Sequence, residues 1–195
     1  MSIPPTRPDR DRSWQEVVVL AGLSAVPYAG GPLSVVADEL LARRRRRVAE
    51  LGVAVLEGHD VEDLLDRLRS DERFGELFVR AAEATAISGW EPKRRAMGAV
   101  IRSALDGEDA ELDDSELLIA ALERLEAPHF AALQRLDQAP DSKMGDARAE
   151  QDAGLAAPVL AGLLSTGAVS QGSGWGGMIY ASSDFGRRLL GLVAL

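Results

Sequence analysis

Cysteine is absent from the chain, which excludes a disulfide framework, an iron–sulfur cluster, a thiolate zinc site and a cysteine nucleophile. Histidine is nearly as scarce: His59 and His129 are the only two, and they leave little material for a histidine metal centre or a Ser–His–Asp triad. Aromatic residues make up 5% of the sequence, too few for a base-stacking nucleic-acid platform. A surplus of positive charge is missing as well, since the net charge is −9, against a whole-surface polyanion binder. No cofactor is implied and no catalytic residue stands out, so the expectation is a protein that is not an enzyme.

What is there suits a folded core. The 195 residues are 46% hydrophobic and 27% charged, enough for one compact domain or two small ones. Charge is placed unevenly. Residues 1–50 carry eight basic and six acidic groups, residues 51–110 eight and thirteen, residues 111–150 four and ten, and the rest two and two. A mildly basic head, an acidic middle and a nearly uncharged tail result. Of the 22 basic residues, 20 are arginine, a bias typical of GC-rich coding, so a single arginine carries less chemical meaning than usual.

Apolar spacing predicts helices along most of the chain. From Asp71, the positions Phe74, Leu77, Phe78, Ala81, Ala82 and Thr85 step by three and four. Pro92 opens a helix with the stripe Ala96, Met97, Val100, Ile101, Ala104 and Leu105, which Asp106-Gly107 stops. Val61, Leu64, Leu65 and Leu68 mark a shorter helix. Ser115 is expected to begin one with Leu118, Ile119, Leu122 and Leu125 inward, and Pro128 one with Phe130, Leu133 and Leu136. The acidic run Gly107–Asp114 lacks EF-hand spacing and reads as a solvated loop and helix N-terminus. The polar stretch Gln138–Gly154 has room for a short helix around Asp146–Gln151. Ala157–Thr166 reads as a helix ended by Gly167. Two short β-prone runs with glycines between them then suggest a hairpin, and Ser183-Asp184 caps a last helix, Phe185–Leu195.

In that tail Leu160, Leu163 and Leu164 precede Gly167, a glycine-rich hairpin, Tyr180, Ser183, Gly186 and Leu190. This order, over roughly residues 112–195, resembles the end of a winged-helix domain, with the APHFAALQRL segment in the place of its first helix. The resemblance implies a small β-hairpin wing and raises DNA binding. The residues argue otherwise. The candidate recognition helix, Leu155–Thr166, offers only Ser165 and Thr166 to a base edge, and the wing offers Gln171, Ser173 and Trp175 without a cation. Earlier in the chain, VPYAGGP, an arginine-rich helix and acidic helices ending near KRRAMGAVIRSALDG are similar to uncharacterised helical proteins of bacteria and their phages.

Two N-terminal features bear on partners. The uncharged stretch Val17–Ala37 approaches the ~20 apolar residues that span a bilayer, and Arg43–Arg47 follow as a positive flank. Pro27, Gly30, Gly31 and Pro32 interrupt it, which favours a buried helical hairpin packed on Phe74, Phe78, Met97 and Ile101. The alternative is a hairpin dipping into one leaflet, with Val17, Val18, Val19, Leu20, Val35 and Val36 as membrane contacts. Five successive arginines on a helix face all round. They are either phosphate-binding or a solvated face pairing with Asp38, Glu39, Glu50 and the acidic middle of the chain. GSGWGG (172–177) lacks the lysine of a phosphate loop and reads as a wing tip, with Trp175 exposed there. His59 stands near Asp60, Glu62 and Asp63 without a second histidine, a poor metal or acid–base site.

The sequence therefore predicts a mainly α protein: a disordered, polar, proline-rich arm (1–13) that is no signal peptide, a helical bundle with an apolar hairpin (14–110), and a winged-helix-like module (111–195). The expected role is regulatory or adaptor work through a protein partner or self-association, with Trp175, Gln171, Arg43, Arg44 and Arg47 as contact residues. A membrane-associated effector and a DNA-binding transcription regulator are the alternatives. The expected location is the cytoplasm, including the inner face of the membrane.

Overall fold

The computed structural model describes residues 32–138, 143–145, 155–174 and 177–194, with side chains at 39–138, 155–173 and 177–194. The arm 1–13, the segment holding Val17, Val18, Val19 and Leu20, the short helix expected at 146–151, and Trp175 lie outside the described residues. Eight helices and three strands follow in the order α1 (Pro32–Val55), α2 (Val61–Ser70), α3 (Glu72–Ile87), α4 (Glu91–Asp106), α5 (Asp109–Arg124), α6 (Ala127–Asp137), β1 (Lys143–Gly145), α7 (Ala157–Ser165), β2 (Val169–Gly174), β3 (Gly177–Ser182) and α8 (Asp184–Ala194). The protein is mainly helical, with a small antiparallel sheet towards its C-terminal end.

Local chemistry sets the helix ends. Asp71 Oδ1 accepts the Phe74 N–H at 3.1 Å and opens α3. Pro92 and Pro128 sit in the first turns of α4 and α6, where the missing N–H has no helical acceptor in any case. Gly167 ends α7 with φ +75°, a conformation that favours glycine. The Ser183 hydroxyl donates to Gly167 O at 2.6 Å and accepts the Gly186 N–H at 2.9 Å, so one side chain ties the end of α7 to the start of α8.

Two helices differ from the sequence reading. α5 begins at Asp109, six residues before Ser115. Glu111 accepts the Glu108 N–H at 3.2 Å, and the acids of this run complement the positive end of the helix dipole. Ser115 is instead buried within the helix. The expected boundary between residues 110 and 111 thus falls inside the first turn of α5. α1 is one 24-residue helix, in which the second apolar arm, with Val35 and Val36, and the arginine run are continuous. Residues 32–37 thus lie on the same helix as the arginines, and the other arm of the expected hairpin lies outside the described residues.

α3, α4 and α5 pack on one another, with α1 against α3 and α4 and α2 against α3. Phe74, Leu77, Met97, Ile101, Ile119 and Leu122 are all at most 1% exposed, and each contributes about 1.5–3 kcal/mol of burial. In the C-terminal part, α6 contacts α7, α8 and β3. The sheet order is β1-β3-β2, with Gln171 opposite Tyr180 and Met144 opposite Tyr180 on its other side. α8 also packs on α4, so the buried residues form one cluster from Val48 to Leu189.

Arginines close the seams between helices. Arg73 of α3 reaches Asp113 at 2.5 Å and Glu116 at 2.9 Å on α5. Arg80 of α3 reaches Glu123 at 2.7 Å. Arg94 and Arg102 of α4 bind Glu50 and Glu57 of α1. Hydrogen bonds to these carboxylates hold Arg73 and Arg80 firmly in the charged form.

Candidate interaction surfaces

The C-terminal module sets out a nearly neutral face. On α7 the exposed side chains are Ala157, Pro158, Ala161 and Ser165, while Leu163 is buried. The Ser165 and Thr166 hydroxyls donate to Gly162 O at 2.9 and 3.1 Å. On β2, Ser170, Gln171, Gly172 and Ser173 are exposed. From α7 to the end of α8 the only cations are Arg187 and Arg188, and both are engaged. Arg187 pairs with Asp184 and approaches Asp137 at 3.9 Å. Arg188 grips Asp114 of α5, and that hydrogen bond holds the Asp114 carboxyl below the usual carboxylate range.

The arginine run of α1 is the opposite case. Arg43 bonds Glu39 at 3.0 Å. Arg47 is half-buried and its Nη1 donates to Ala86 O at 3.2 Å, a cation on the carbonyl end of α3. Arg44, Arg45 and Arg46 are exposed and carry no ion pair among the described residues. Glu50, expected to pair with this run, turns to Arg94 at 3.1 Å instead. The run is thus mostly unneutralised, and Arg47 serves a different purpose from its neighbours. No helix among the described residues is long and apolar enough to cross a membrane.

Local reading of the sequence overlooked a third place. Lys93 is 2% exposed, with Nζ 2.7 Å from Glu126 Oε1 and 3.2 Å from Glu123 O. It sits at the base of a groove of about 530 Å³ that Arg80, Glu83, Ile87, Glu123 and Glu126 also line. Both cations there are held by carboxylates, so the arrangement locks α4 to the end of α5. Its only sequence signal is a lysine in an arginine-dominated chain, because the partner lies 33 residues away.

Both histidines make contacts within the fold. His59 Nε2 lies 3.3 Å from Asp106 Oδ2, so the α1–α2 turn meets the end of α4 rather than the carboxylates beside His59 in sequence. His129 Nδ1 accepts the Glu126 N–H at 3.1 Å, and its ring lies against Gly162 of α7. Among the described residues, no group of three or more His, Asp or Glu side chains is placed to hold a metal ion.

The chain matches no family model, no curated protein and no solved structure.

Proposed function

We propose that this is a contact protein without catalysis of its own, whose C-terminal module is a winged helix turned from DNA to a protein partner. The strand order β1-β3-β2, with α7 leading into the β2–β3 hairpin, supports the winged-helix reading. One observation carries the change of partner: Arg187 and Arg188 are spent on Asp184 and Asp114, while α7 presents alanine, proline and serine where a DNA reader presents cations and amides. With Arg187 and Arg188 paired, Arg124, exposed beside Ser165 and Thr166, is left at this face to meet phosphate, and one such contact gives little counterion release. A small, neutral, rigidly mounted face suits a protein surface, where charged residues are depleted at the centre of contact.

The experiment uses the full chain with Arg44, Arg45 and Arg46 changed to Ala, so that the α1 cations do not report in place of the module. It is titrated with duplex DNA at about 50 and about 150 mM salt. The expected result is no shift at either salt. A sequence-specific shift lost on Ser165→Ala or Thr166→Ala overturns the reading and restores the transcription-regulator alternative.

A further inference from the structure

The face of α1 that enters the core carries Val48, Leu51 and Val55, at 8%, 1% and 0% exposure. Seven residues make nearly two helical turns. Leu41 precedes Val48 by seven and Arg44 precedes Leu51 by seven, so both continue that buried face upstream. There Arg44 is exposed, Leu41 is only half-buried, and Leu40 beside it is 53% exposed. Among the described residues, the helix has outrun the bundle. Its edge is marked by Arg47 on Ala86 O, at the C-terminal end of α3. The pairs Glu50–Arg94 and Glu57–Arg102 show that α1 runs parallel to α4, which returns along α3. Residues before Arg47 therefore lead away from the body of α3.

α3 carries the complementary surface. Glu72, Glu76, Val79, Glu83 and Ile87 follow at helical spacing and form one outward stripe opposite the Phe74–Thr85 core face. Its three glutamates are exposed and form no ion pair among the described residues. Val79 and Ile87 in the same stripe are 41% and 70% exposed. Glu72 and Glu76 lie in the direction opposite to the overhang of α1, so Arg44–Arg46 do not meet them within one molecule.

We propose that the overhanging segment of α1, through Arg44 and Leu40 on one face with Arg45 and Arg46 adding positive charge around it, docks on the Glu72–Ile87 stripe of α3 in a second copy of this chain. Two copies exchange the contact reciprocally and close as a two-fold dimer. Charge complementarity selects this occupant: a concentrated free positive segment and a free negative stripe stand on one acidic chain. The apolar pair Val79 and Ile87 gives Leu40 a seat between the charges. The inference is independent of the reading of the C-terminal module, and a monomer leaves that reading untouched.

Sedimentation of the full chain tests it, with one variant carrying Arg44→Glu, Arg45→Glu and Arg46→Glu and a second carrying Glu72→Lys, Glu76→Lys and Glu83→Lys. All six positions are exposed, and circular dichroism checks each fold; the neutral Arg→Gln and Glu→Gln triples replace any variant that fails to fold. The native chain is expected to be a dimer whose Kd rises at least about tenfold between about 50 and about 500 mM salt. Each reversed variant alone is expected to be monomeric, and their equimolar mixture to dimerise, because reversed α1 meets reversed α3 in one contact and native α1 meets native α3 in the other. The neutral triples are expected to weaken the dimer individually. A monomeric native chain, a dimer that ignores either triple, or a mixture of reversed variants that stays monomeric overturns the proposal. So does a monomeric native chain whose arginine triple alone abolishes binding to phosphatidylserine vesicles, which assigns the segment to a membrane surface.

Discussion

Arg188 of α8 holds Asp114 of α5 by both terminal guanidinium nitrogens, with Nη1 2.9 Å from Oδ1, joining positions 74 residues apart. It fastens the last helix to the bundle beside the contact of α8 with α4. The Asp114 carboxyl is depressed below its ordinary value of 3.8, chiefly by the hydrogen bond from Arg188. A carboxyl depressed in the folded state stabilises fully above its unfolded pKa and loses that contribution as pH falls through the folded value. Asp114→Asn is therefore expected to cost about 0.5–1 kcal/mol at pH 7, a screened value because both side chains are partly exposed. The deficit should vanish in acid, below the folded pKa. Urea melts of both proteins across that range check it, and a deficit that persists in acid refutes the linkage.

Lys93 and Glu126 differ in exposure, 3% against 55% for the side chains, and the difference sets the order of mutant effects. Removing the carboxylate leaves a buried ammonium with one carbonyl partner, Glu123 O. Removing the ammonium leaves a carboxylate that water resolvates. Glu126→Ala is therefore expected to cost about 1–3 kcal/mol, and Lys93→Met, which keeps the volume, about 1 kcal/mol or less. Denaturation midpoints of the two variants check the order; Lys93→Met as the more damaging change contradicts it.

Helices were legible where a continuous apolar stripe met a recognisable stop. Phe74 to Thr85, Ala96 to Ala104 and Phe130 to Leu136 are buried as their spacing predicts. Gly167 and Ser183 also sit at the ends that turn chemistry assigns them. The start of α5 was hidden because its first turn is acidic and carries one large apolar residue, Leu112, leaving no stripe to count. Interaction surfaces were harder to read. A run such as Arg43–Arg47 announces positive charge, but which arginine is spent on Ala86 O and which stay free depends on where α3 ends against α1. The pairs Arg73–Asp113, Lys93–Glu126 and Arg188–Asp114 join residues 33 to 74 positions apart, beyond any local pattern.

The two halves of α1 should respond differently to the same chemical change. Leu51 is 1% exposed and Leu40 is 53% exposed. Leu51→Gln buries an amide among apolar side chains and leaves part of the leucine's space unfilled, an expected cost of about 3–4 kcal/mol. Leu40→Gln lies on the overhang and is expected to stay within about 0.5 kcal/mol when unfolding is followed at high salt. A large loss at Leu40 under those conditions places that residue in the core of the monomer and contradicts the overhang.

Two glycines in the C-terminal module mark where backbones come too close for a side chain, and their neighbours predict unequal effects. A Cβ on Gly162 meets the His129 ring at 2.6 Å from Nε2, whereas a Cβ on Gly186 meets the backbone oxygen of Ala168 at 2.1 Å. The imidazole is a side chain and can be removed. The Ala168 carbonyl accepts the Ser183 N–H at 3.1 Å and is fixed between α7 and α8. Gly162→Ala is thus expected to cost about 1–3 kcal/mol by pushing α6 from α7, and adding His129→Ala should recover most of the strain. That recovery is smaller than the full clash, because His129 also accepts the Glu126 N–H. Gly186→Ala has no such side chain to delete and is expected to be the more damaging, separating α8 from β2 and the α7 turn. Thermal melts of the two single variants, His129→Ala and the Gly162→Ala/His129→Ala double variant close the cycle. Strict additivity between positions 129 and 162 contradicts the contact from which the prediction is drawn.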